Sequence, residues 1–142
     1  MKMGPNDFSD LSYQYDASFV GASGRSYLCE KDFTSNTHPR PRFCFTLPNG
    51  VVFKMADLNT YDSGIFGGLR EAWAIFLDDD RVGSFEDTKE IKDTRLRTLA
   101  EGMLADLLAK AKSDARARKE AYRTQSAERE TKRQKALKKL DQ

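Results

Sequence analysis

Asp87-Thr88-Lys89-Glu90-Ile91-Lys92-Asp93-Thr94-Arg95-Leu96-Arg97-Thr98-Leu99-Ala100-Glu101-Gly102-Met103-Leu104-Ala105-Asp106-Leu107-Leu108-Ala109-Lys110-Ala111-Lys112 is the stretch on which the reading of this chain turns. Its first four residues fit a capping box, with Asp87 as N-cap and Glu90 reaching back from the third helical position. Leu96, Leu99, Met103, Leu104, Leu107, Leu108 and Ala111 then recur at helical spacing and make one broad apolar face. Arg95, Arg97, Glu101, Asp106, Lys110 and Lys112 supply the polar remainder. Gly102 interrupts the pattern, at about 1 kcal/mol against alanine, and points to a close neighbour there.

Beyond Lys112 the composition changes. From Ser113 to Gln142 the apolar positions are mostly alanine, with Tyr122, Leu137 and Leu140 as the larger ones. No heptad continues, so a long two-stranded coiled coil is not expected. Helix propensity stays high, and Asp114–Arg118 and Glu128–Lys132 are oriented i,i+4 pairs. The expectation is a long C-terminal helix over 88–140, on the order of 80 Å at ~1.5 Å per residue, whose second half projects. A break near Ser113-Asp114 or Thr124-Gln125-Ser126 is the alternative.

Charge is divided unevenly. Residues 1–108 hold 12 Lys+Arg against 17 Asp+Glu, whereas residues 109–142 hold 12 against 5, so a net charge of +2 conceals an acidic body and a basic tail. All aromatics except Tyr122 precede Asp87, which places the core in the first 85 residues or so, together with the apolar half of the helix. The expected organisation is a compact α+β domain over 1–112 and a basic helical extension over 113–142. No run of 18 apolar residues and no signal peptide is present, so a cytoplasmic protein with no membrane partner is expected.

Upstream, residues 1–12 read as an irregular lead-in and Tyr13–Val20 as a half-buried strand. Gly21-Ala22-Ser23-Gly24 reads as a turn, and Arg25–Phe33 as a second strand. Ser35–Pro41 is a loop with two prolines. Arg42–Leu47, Pro48-Asn49-Gly50 and Val51–Met55 form a hairpin over 42–55, with Asn-Gly supplying positive φ. Leu69, Ala72, Trp73, Phe76 and Leu77 fall on a helical face, giving a short helix over 69–77, with a strand at 72–77 as the alternative. Asp78-Asp79-Asp80-Arg81 ends that element, and Val82–Phe85 is a link or edge strand. The expected fold is α+β: a small antiparallel β-sheet of about 3–5 strands packed by the short helix and the long one.

Catalytic signals are missing. His38, the sole histidine, lies in the proline loop without a partner. Counted as an EF-hand from Asp78, the acidic run fails at Val82 and Lys89. The glycines at 21–24 and 62–68 match no Walker A or dinucleotide fingerprint. Cys29 and Cys44 lack CxxC spacing and read as buried thiols. The chain therefore reads as no enzyme, with no cofactor and no metal.

What remains is the helix. A protein-protein interaction or assembly role, docking another protein or copies of itself, rests on Tyr122, Leu137 and Leu140 as anchors. The alternative is a nucleic-acid-binding protein that contacts DNA or RNA phosphates without reading sequence. It would use Arg116, Arg118, Lys119, Arg123, Arg129, Lys132, Arg133, Lys135, Lys138 and Lys139. These cations surround much of the helix. Arg40, Arg42 and Phe43 are a second, smaller basic and aromatic group.

Overall fold

The computed structural model describes residues 1–8, 11, 18–32, 40–58 and 71–141. The helical expectation at Leu69 and Arg70, the loop holding His38, the glycines at 62–68 and most of the strand expected from Tyr13 lie outside the described residues. Two compact units are present, Met1–Ala111 and Lys112–Gln142.

The first unit is built on one antiparallel sheet in meander order: β1 (Ser18–Val20), β2 (Ser26–Asp32), β3 (Arg40–Thr46), β4 (Val52–Asp57), β5 (Trp73–Leu77) and β6 (Asp80–Phe85). Among the described residues the sheet has six strands, more than the three to five expected. The additional pairing comes from 73–85. There the helix expected over 69–77 is replaced at Trp73–Leu77 by β5, paired to β4 through Met55↔Ile75 and to β6 through Trp73↔Phe85. Trp73, Ala74, Ile75 and Phe76 are all buried. A strand covered on both faces is apolar at successive positions, so it also matches i, i+3, i+4 spacing by coincidence.

Turn chemistry fixes the register. Asp78 and Asp79 take φ of 48° and 70°, the pattern of a two-residue hairpin turn with positive φ at both central positions. The acidic run therefore reverses a hairpin rather than ending a helix. Asp78 Oδ1 accepts the Val52 N–H at 2.9 Å, and Asp79 Oδ1 receives Lys54 Nζ at 2.9 Å. In the β3–β4 turn only Gly50 has positive φ, at 87°. Asn49 contributes through its side chain, whose Oδ1 accepts the Val51 N–H at 3.0 Å.

Alternation along the strands sends Tyr27, Cys29, Phe43, Phe45, Phe53, Met55, Trp73, Ile75 and Phe85 into one core with Ala100, Met103, Leu104 and Leu107 of the long helix. Edge-to-face and tilted ring contacts, such as Tyr27–Phe45 at 5.5 Å and Phe45–Phe53 at 5.3 Å, fill it. The cysteines sit one residue out of step on paired strands. Cys29 is opposite Phe43 and Cys44 opposite Leu28, so their side chains leave opposite faces of the sheet and no disulfide joins them.

The long helix runs Thr94–Lys138 and closes in a 3-10 turn, Lys139–Asp141. It begins six residues later than expected and has no break at Ser113 or Thr124. Asp87 does act as a cap, but of a separate 3-10 helix, Thr88–Glu90, where it accepts the Lys89 N–H at 3.0 Å. Glu90 reaches back to the Glu86 N–H at 3.2 Å. The α-helical cap is Asp93, whose Oδ1 accepts from the N–H groups of Arg95 at 2.9 Å and Leu96 at 3.3 Å. Its hydrogen bonds with the Arg95 side chain and with those N–H groups lower its pKa to about 2.

Candidate interaction surface

The first unit buries two carboxylates, Asp57 and Asp106, and the second unit is an exposed helix. Asp106 projects from the helix into the turn between β1 and β2. It accepts the Ser23 hydroxyl at 2.6 Å, the Ser23 N–H at 3.0 Å and a further hydrogen bond from the Tyr27 hydroxyl. Burial acts to raise its pKa, but these donors and nearby Arg25 outweigh it and hold the carboxyl below its ordinary value. Tyr27 is pushed up to about 12 by burial first and by Asp106 second. Gly21 completes the arrangement: a Cβ there would lie 2.7 Å from Asp106 Cγ. All three donors belong to the chain itself, so this constellation fastens the turn to the helix.

Nearby, the Arg25 guanidinium stands 4.1 Å from the centre of the Phe45 ring. Its Nη1 also lies 3.6 Å from where a Gly102 Cβ would be. The neighbour inferred from Gly102 is thus a side-chain cation rather than a second backbone. Among the described residues no group of three or more His, Cys, Asp or Glu is placed to hold a metal ion. Phe43, from the smaller basic and aromatic group, is fully buried in the core. It is therefore not available for stacking.

The second unit presents the residues singled out as anchors. Every residue from Arg116 to Asp141 is exposed, and the three large apolar side chains are too: Tyr122 by 72%, Leu137 by 43% and Leu140 by 81%. The ten cations named as phosphate contacts are also exposed. They surround the helix, as expected, but the acids do not. At ~100° per residue, the sector within about 60° of Tyr122 holds Ala115, Arg118, Lys119, Gln125, Ser126, Arg129, Arg133, Ala136 and Leu137. None of them is acidic. Asp114, Glu120, Glu128 and Glu130 lie outside that sector. Glu120 reaches Arg123 at 3.8 Å, and Glu130 meets Arg133 at 3.1 Å from the sector's margin. Leu140 follows Leu137 by three residues in the closing turn. An acid-free stripe combining exposed apolar side chains with four cations is the distinguishing feature of this helix.

Among the described residues no helix is long and apolar enough to cross a membrane. No protein-family model matches the chain, and no match to it is found among curated proteins or solved structures.

Proposed function

We propose that this is a non-catalytic interaction or assembly protein that docks another protein, or copies of itself, through its long C-terminal helix. The observation that carries this reading is the exposure of Tyr122, Leu137 and Leu140 on a helix in which every residue from Arg116 to Asp141 is exposed. Large apolar side chains spaced along one helix are the anchors of helix-in-groove recognition. Buried anchors dominate such interfaces, while rim cations set rate and orientation. Cys29 and Cys44 are buried and form no disulfide with each other, which suits a cytoplasmic setting.

A second reading has one observation in its favour. Arg118, Lys119, Arg129 and Arg133 share a stripe without an acid, a disposition suited to the phosphates of DNA or RNA. Fluorescence anisotropy of labelled duplex and single-stranded DNA and RNA, titrated with the full chain at low and physiological salt, separates the two. Protein docking predicts at most weak binding that disappears at physiological salt. Tight binding that persists there and is lost in Arg118→Gln/Lys119→Gln/Arg129→Gln/Arg133→Gln would put nucleic acid first.

A further inference from the structure

The first unit has a feature that the helix would fit. At one end of the sheet, between the β3–β4 and β5–β6 turns and the start of the long helix, Leu47, Val51, Leu77, Val82, Leu96 and Leu99 line a groove of about 450 Å³. Five of these are half-buried and Val82 is 43% exposed, so the apolar core opens to solvent here instead of closing. A volume of this size lies within the range of pockets that seat ligand groups. Nothing within the first unit's described residues fills it.

Charge favours one occupant. Residues of the first unit carry 13 Lys+Arg against 17 Asp+Glu, and those of the second carry 11 against 5. Around the groove, Asp93 and Arg95 neutralise each other at 3.0 Å, and Lys54 holds Asp79. Asp78 and Asp80 are two further carboxylates on the same exposed turn, with Arg81 next in sequence. An acidic body with an apolar opening is complementary to a basic helix with apolar anchors, and both are present on every copy of this chain.

We infer that the acid-free stripe of one copy's helix, led by Tyr122 and Leu137, seats in this groove of a second copy. The inference rests on the docking function proposed above and names the partner. The contact is heterologous: groove and stripe are different surfaces, so each copy brings one of each.

Sedimentation equilibrium of the full chain, across a concentration series at low and physiological salt, tests it. Two variants are compared, Val82→Arg in the groove and Tyr122→Ala/Leu137→Ala on the stripe. The wild type is expected to associate, more weakly at higher salt, and each variant alone to associate at least tenfold more weakly. Mixed together, the two variants should recover association, because one intact stripe then meets one intact groove. A pair of helix variants guards against misfolding in the groove. Arg118→Gln/Lys119→Gln/Arg129→Gln/Arg133→Gln should weaken association more than Arg116→Gln/Arg123→Gln/Lys135→Gln/Lys138→Gln, which removes as many charges from outside the stripe. A wild type that stays monomeric throughout overturns the inference. So does a mixture no better than its components, or equal effects from the two charge sets. If the chain is monomeric but a photo-cross-linker at position 122 still captures a different protein, self-docking fails and the docking function stands. If no protein is captured and the chain is monomeric, both fail.

Discussion

The Asp106 carboxylate of the long helix and the Ser23 hydroxyl of the β1–β2 turn lie 2.6 Å apart, 83 residues from each other in sequence. This bond, with those from the Ser23 N–H and the Tyr27 hydroxyl, joins the edge of the sheet to the helix that covers it. Asp106→Ala leaves a buried phenol without its acceptor and should cost on the order of 2–3 kcal/mol in urea denaturation. Because the folded-state pKa of Asp106 is lowered, its stabilisation is fully present above the ordinary aspartate pKa of ~3.9 and is lost as pH falls through the folded value. Stability measured from pH 7 to pH 2 should therefore fall more steeply in the wild type than in Asp106→Asn.

Gly21 and Gly50 should respond differently to alanine. At Gly50 the cost is conformational: φ is 87° and nothing among the described residues lies within 4 Å of an added Cβ. About 1 kcal/mol is expected. At Gly21 the new Cβ would meet Asp106 Cγ at 2.7 Å and the Tyr27 ring at 2.8 Å. Gly21→Ala should therefore cost more, roughly 2–3 kcal/mol as overpacking that also displaces the carboxylate. Equal losses in thermal melts of the two variants would contradict this account of the turn.

Gly102→Ala should stabilise the protein by up to about 1 kcal/mol through helix propensity. Among the described residues, leaving aside the helix's own backbone, an added Cβ would meet Arg25 Nη1 at 3.6 Å, an ordinary contact. A destabilised variant in chemical denaturation would mean that the glycine is required by something other than the Arg25 side chain.

Tyr122→Ala/Leu137→Ala/Leu140→Ala separates docking from folding. These side chains are exposed, so the unfolding free energy of the triple variant in urea should match the wild type to within about 0.5 kcal/mol. Its capacity to dock should be lost. A large drop in stability would show the anchors to be structural.

Much of the first unit could be read from residue type alone. The β3–β4 hairpin follows from two aromatic and β-branched arms around Pro48-Asn49-Gly50, and the apolar half of the helix follows from its spacing. Trp73–Leu77 did not yield to the same reasoning, because a doubly covered strand loses the alternation that marks strands. The helix start was misplaced because Asp87 and Asp93 are both competent caps, and sequence does not say which one the chain uses for a 3-10 turn. Asp106 looked like part of the polar face. Its one signal was an acid between Met103, Leu104 and Leu107, and its partners lie 79 and 83 residues away. The exposure of Tyr122, Leu137 and Leu140 was legible from the absence of other large apolar residues around them. The acid-free stripe emerges only when the helix is continuous enough to be wound at one pitch.

The most direct test of the docking function is a photo-cross-linking residue at position 122 of the full chain, activated in the cells from which the gene comes. A discrete protein adduct that disappears with Leu137→Ala/Leu140→Ala is the predicted result. Adducts to nucleic acid alone, or no adduct at all, would contradict the claim that this helix is a protein-docking element.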